Sequence, residues 1–458
     1  MSQTEARTGA GTVTEAPFRA RFGWAMFDWA NQPYFTVITT FIFAPYFAAT
    51  VVGDPVRGQS LWGDTQAIAG LLIALCSPFL GSIADAGGPR KPWILSFQAL
   101  CFAGCVALWW AVPGADATRI GWIMLALVMA AVGAEFSIVF NNAMLPDLVP
   151  PDRMGRLSGS AWALGYFGGL VALIVVLLAF SLPEQPWFGL DRASRENDRV
   201  VGPLAAGWLA LFLIPLLVFT PDQRPSGLSR IEAVRQGIAS VVDTVRKLRH
   251  YRNIIRFLIA RMIAYDGLTA IFSFGGIYAV GIFGWDTTAL GVFGIILTVF
   301  AGFGAWAGGH IDDRVGSKWT MQASLLGVLL ATLAILSMSR ESVFFILQID
   351  GPAGGGLFAS TAERIFILLG ILLGVFGGPL QAASRTMMAR LAPPGMVGEF
   401  YGMYSLSGKA TAFLAPFVVA RATDGFDSQR AGLAAIAVFL VVGFLLMIPV
   451  REEQAEKV

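Results

Sequence analysis

The chain has 458 residues, of which 56% are hydrophobic and 14% charged, and its net charge is +2. Soluble domains carry about 25% charged residues, so this composition excludes an ordinary soluble fold, and the near-neutral balance provides no field for nucleic acid. With two histidines, three cysteines (Cys76, Cys101, Cys105, all in apolar runs) and no CxxC, no structural metal site is expected.

Residues 1–19 read as a polar cytoplasmic tail, and no apolar core follows a basic start, so no cleavable signal peptide is expected. Residues 20–220 hold six apolar runs, at 20–50, 60–83, 92–112, 119–146, 156–182 and 203–220. Runs near 20 residues cross a hydrocarbon core of ~30 Å, and only helices or closed barrels satisfy the backbone there, so these are helices. The first run carries Asp28, Asn31 and Gln32 ahead of Pro33, and the fourth carries Glu135 with Asn141 and Asn142 two turns on. The 221–253 connection places Ile231, Val234, Ile238, Val241, Val242, Val245 and Leu248 at helical spacing among Arg and Lys. That pattern reads as an amphipathic helix on the membrane surface, with a partner-docking helix as the alternative.

Residues 254–450 repeat the pattern with six runs, at 254–283, 287–311, 319–338, 363–391, 399–422 and 429–449, before a tail at 451–458. The seventh run carries Arg261, Tyr265 and Asp266, the tenth Gln381 and Arg385, and the eleventh Lys409. Two loops are long: 183–202 is polar, and 339–361 joins a short apolar string, read as a small β-hairpin or an interfacial segment, to a glycine-rich stretch.

One turn occurs twice. Gly81, Asp85, Gly88 and Arg90 recur as Gly309, Asp313, Gly316 and Lys318, each 228 residues later, with Arg314 following the second Asp. A second echo sets Leu148, Pro150, Pro151, Gly155 and Gly159 against Leu391, Pro393, Pro394, Gly398 and Gly402, an offset of 243, and Asp28 pairs more weakly with Asp266 at 238. Duplicated six-helix modules are how many secondary transporters build two halves around a central site. Lys and Arg number twenty on the side of the tails and the repeated turns against nine opposite, which places both termini in the cytoplasm.

Ionisable groups inside a membrane are costly, roughly 2.5–3.5 kcal/mol each at the centre, and are functional candidates by default. Glu135, Asp266 and Asp28 are carboxylates suited to carrying protons, and Arg385 offers a planar fork for an anionic group. Asn31, Gln32, Asn141, Asn142, Tyr265 and Gln381 can hydrogen-bond a polar solute. Structural ion pairing within the bundle is the competing reading for each charged residue. The turns Gly81–Asp85–Gly88–Arg90 and Gly309–Asp313–Arg314–Gly316–Lys318 are candidates to gate the inner side. Gly302-x-Gly304-x-x-Ala307 follows no strand, and no Walker-type loop is present, so neither dinucleotide nor ATP chemistry is expected.

The repeated turn resembles the signature between helices 2 and 3 of the major facilitator superfamily, although Ala86 stands where a basic residue usually follows the first Asp. Four longer segments, 27–47, 140–169, 260–267 and 380–416, resemble the vacuolar effluxer-like branch, also called the unknown major facilitator family. That resemblance implies an all-α membrane protein of twelve helices in two six-helix bundles, working by alternating access. It further implies export of small solutes, amino acids in the eukaryotic members. Together these readings predict a monomeric secondary transporter in a bacterial inner membrane, with no cofactor, moving a small polar solute with protons through a cavity lined by helices 1, 4, 7 and 10. Other metabolites or drugs are the alternative substrates, and a transporter-shaped sensor or assembly protein is the alternative function.

Overall fold

The computed structural model describes residues 15–246, 250–285, 287–339, 342–345, 347–348, 357–412 and 414–453. Among them, eleven helices are long and apolar enough to cross a membrane. In chain order they are α1 Phe18–Val51, α2 Pro55–Gly87, α3 Lys91–Trp110, α4 Ala117–Leu148, α5 Pro151–Ser181, α6 Glu196–Phe219, α7 Arg252–Phe283, α8 Thr287–Val315, α9 Ser317–Leu336, α10 Thr361–Leu391 and α12 Gln429–Met447. The eleventh run, read from sequence as one helix, is two pieces, Val397–Lys409 and Leu414–Phe426, together α11. Pro416 is the reason available in the sequence: a proline fits the first turn of a new helix but not the interior of a continuing one.

Pro33 has the opposite outcome. Its missing N–H frees the carbonyl of Trp29, four residues earlier, and Trp208 Nε1 donates to that carbonyl at 3.1 Å. The chain then continues in wide turns, with the Ile42 N–H bonded to the Val37 carbonyl at 3.1 Å. Glycines set the close crossings within each half. A β-carbon on Gly133 of α4 would lie 2.4 Å from the Phe97 carbonyl of α3, and one on Gly378 of α10 would lie 2.3 Å from the Ala301 carbonyl of α8.

The connecting helix, Arg230–Arg246, packs on α2, where Gly237 lies against Ile83. Its Ala233 and Val241 are buried, while Ile231, Val234, Ile238, Val242 and Val245 form an exposed apolar stripe. Leu248 lies outside the described residues. The short string after α9 forms a hairpin, with Ser342–Val343 antiparallel to Leu347–Gln348. The glycine-rich stretch 351–356 lies outside the described residues.

The halves meet at the end that carries the repeated turns. Gly81 of α2 faces Gly398 of α11, where an added β-carbon would lie 2.0 Å from the carbonyl, and Gly309 of α8 faces Gly155 of α5 at 2.4 Å. Each crossing thus joins the repeated turn of one half to the second echo of the other.

Candidate functional site

Three helices turn a regular stripe of residues toward a common space. Asp28, Asn31, Gln32 and Phe35 on α1 follow i, i+3, i+4, i+7, as do Glu135, Ile138, Val139 and Asn142 on α4, and Tyr401, Tyr404, Ser405 and Gly408 on α11. Arg261 and Tyr265 on α7 and Gln381 and Arg385 on α10 add i, i+4 pairs, and α5 adds Trp162 and Gly165. They enclose a cavity of about 300 Å³ between the halves. A second cavity of about 580 Å³ adjoins it, sharing Phe35 and Glu135 and reaching the break in α11 at Ala410 and Ala412.

Arg385 comes from the second half and is held by the first. Its Nη1 pairs with Asp28 Oδ2 at 2.8 Å and reaches Asn142 Oδ1 at 3.5 Å. Its Nε and Nη2 donate to the Ser158 hydroxyl and carbonyl at 2.9 and 2.7 Å. Arg261 has a different setting. Nε donates to Ser384 Oγ at 3.0 Å and Nη1 to the Tyr404 carbonyl and Ser407 Oγ at 3.1 and 2.9 Å, with the guanidinium 3.5 Å over the Tyr404 ring. Gln381 Nε2 donates to Tyr166 Oη of α5 at 2.7 Å, another bond across the halves.

Below the cavity lie two carboxylate contacts related by the internal duplication. Asp85 Oδ2 accepts from the Glu399 N–H at 3.0 Å at the start of α11, and Asp313 accepts from the Gly155 and Arg156 N–H groups at 2.7 and 3.0 Å at the start of α5. Glu399 and Arg156 are themselves equivalent at the 243 offset. A carboxylate at a helix N-terminus is stabilised by free N–H groups and by the helix dipole. Arg90 ties Asp85 to Asp147 at 3.2 and 2.6 Å, and Arg390 ties Asp312 to Glu452 at 2.8 and 2.7 Å. The tight turns are made by Gly88 and Gly316, with φ of 96° and 89°, in the region that disfavours a side chain. Lys318 donates to the Ile448 carbonyl at 2.8 Å, and Arg314 is exposed.

Residues 48–457 match the family model described as vacuole effluxer Atg22 like. The chain belongs to that family. It is 23% identical over 440 residues to the uncharacterized MFS-type transporter YxiO of Bacillus subtilis, covering 95% of each chain. It is 24% identical over 312 residues to autophagy-related protein 22-1 of Neosartorya fischeri, covering 66% of this chain but 49% of that one, so the match spans about half the length of this fungal relative. Among solved structures, the major facilitator proton:xylose symporter XylE superposes with a TM-score of 0.69 at 14% identity over 96% of this chain and 97% of that one. That likeness shows the fold: twelve helices in two six-helix bundles. This vacuole effluxer-like protein is therefore an integral, multi-pass membrane transporter of a solute and not an enzyme.

In this family member, nine of the residues singled out from sequence line the central cavity: Asp28, Asn31, Gln32, Glu135, Asn142, Arg261, Tyr265, Gln381 and Arg385. Asn141 is buried beside it, and its carbonyl accepts from Trp24 Nε1 at 2.7 Å. Asp266 is buried off the cavity wall, one residue and so about 100° round from Tyr265, with Thr411 at the α11 break and Arg261 acting on its carboxylate. The expected lining of four helices extends to α5 and α11. The sequence reading overlooked Ser158, Trp162, Tyr401 and Tyr404, although the 243 offset pairs Ser158 with Tyr401 and Trp162 with Ser405. Such pairing was a usable signal, because equivalent positions in two related halves face the same central space.

Proposed function

We propose that this protein is a secondary active transporter that exports a small polar solute, with amino acids the first candidates, from the bacterial cytoplasm by alternating access coupled to protons. The observation that carries this reading is the Asp28–Arg385 ion pair, which lies on the cavity wall and bridges the two halves. The excess of Lys and Arg around the repeated turns supports a cytoplasmic location for the end where the halves are closed. The conformation then corresponds to one sealed on the inner side, as an exporter has after its solute has left the cytoplasm. Protonation of Asp28 would remove the counter-charge of Arg385 and release the bolt between halves, and Glu135, on the facing helix of both cavities, is the second proton carrier.

The test is flux into liposomes holding the full chain, with radiolabelled amino acids and other metabolites, with and without an imposed pH gradient. Wild type is expected to move at least one solute several-fold faster with the gradient. Asp28→Asn and Glu135→Gln are expected to lose that stimulation, and Asp266→Asn to retain most of it. Flux that ignores the gradient in every variant would overturn the coupling. Correctly inserted protein that moves nothing would overturn transport itself.

A further inference from the structure

The cavity holds two guanidinium groups in unequal states. A guanidinium has five N–H donors. Arg385 spends four of them, on Ser158 twice, Asp28 and Asn142, and its charge is compensated by Asp28. Arg261 is only 6% exposed, yet it spends three, and all of its acceptors are neutral: Ser384, the Tyr404 carbonyl and Ser407. Among the described residues its Nη2 makes no hydrogen bond, and no carboxylate lies within 4.0 Å of it. Asp266, five residues on along α7, acts on it only through space. Gly408 faces the free edge, and a β-carbon there would touch Nη1 and Nη2, at 3.4 and 3.5 Å. Tyr404 and Tyr265, with ring centroids 3.5 and 5.0 Å from the guanidinium carbon, fix its plane. A buried cation without a directly paired anion is costly unless a partner arrives.

We propose that the free Nη2 edge of Arg261 is the anchor for one carboxylate, or a planar anion like it, on the transported solute, and that Arg385 is not. The inference rests on the cavity being the solute site. It also limits the substrate's charge. Glu135 stands on the wall built by α4 and repels a second negative group, so a monoanion or a zwitterion fits and a dianion does not.

Two experiments test it. The purified full chain is treated with phenylglyoxal, which condenses with accessible guanidinium groups, and the sites are read by peptide mass spectrometry. Arg261 is expected to react ahead of Arg385, and excess sodium acetate, but neither acetamide nor sodium chloride, should slow its reaction several-fold. Arg385 reacting first, or acetate giving no protection, would overturn the assignment. This readout needs no transport, so it separates failure of the anchor from failure of the transporter reading. In vesicles, for a carboxylate-bearing solute that wild type moves, Arg261→Gln should lower kcat/KM roughly tenfold to a hundredfold and abolish preference over the matching carboxamide, as expected for one lost charge-assisted pair. Arg261→Lys should restore part of that preference. Wild-type kinetics toward the carboxylate in the monodisperse Arg261→Gln protein would refute the anchor.

Discussion

Arg385 shows how a single side chain can join two bundles. Its side chain is 4% exposed and that of Asp28 is 16%, so leaving either charge alone is costly. Removing one partner of a fully buried pair costs about 3–5 kcal/mol, and the opening of Asp28 to the cavity lowers that to roughly 2–3 kcal/mol. Asp28→Asn and Arg385→Gln are each expected to lower the thermal midpoint in detergent by several degrees. The double variant should recover much of the loss, because no uncompensated charge remains. Additive losses in this double-mutant cycle would show that the two residues are held by their other partners and not by each other. Residue types at this site were legible from sequence because charge is rare inside a membrane and stands out. Which charges pair was not: Asp28 and Arg385 are 357 residues apart, and only the meeting of α1 and α10 brings them together.

Helix positions were legible for a related reason, since hydropathy and length decide whether a run spans. The break in α11 was missed because the residues between Lys409 and Leu414 are uncharged and mostly apolar, with Pro416 the mark of a new start. The glycine crossings divide into two kinds that sequence cannot distinguish. Gly374 of α10 packs on the Leu297 carbonyl of α8, within one half, at 2.6 Å from an added β-carbon, whereas Gly159 of α5 packs on the Ala305 carbonyl of α8, between halves, at 2.4 Å. Gly374→Val should therefore damage the fold and lower the thermal midpoint markedly. Gly159→Val should leave the midpoint near wild type and push the halves apart. A reporter thiol at Ser77, fully buried at the other crossing beneath Gly402, should then react with maleimide several-fold faster once the native cysteines are replaced. An unchanged rate would mean that the halves do not separate as rigid bodies.

At the scale of the whole molecule, the closed end is sealed by two contacts that the duplication makes equivalent, Asp85 at the start of α11 and Asp313 at the start of α5. A charged acceptor at a helix N-terminus contributes roughly 1 kcal/mol, which is about a fivefold shift between closed and open populations. Among the described residues the two sites share no ion-pair partner: Asp85 is tied to Arg90, and Asp313 to Arg156 and Arg390. Their effects should multiply, so Asp85→Asn and Asp313→Asn are each expected to move the balance about fivefold and the pair about twenty-five-fold. Spin labels at the exposed Asp152 and Arg314, one on each half at this end, would report the populations as short and long distances in pulsed electron resonance. A double variant that opens no more than either single one would mean that one crossing governs closure, and that the equivalence is an inheritance of the fold without a share in the switch.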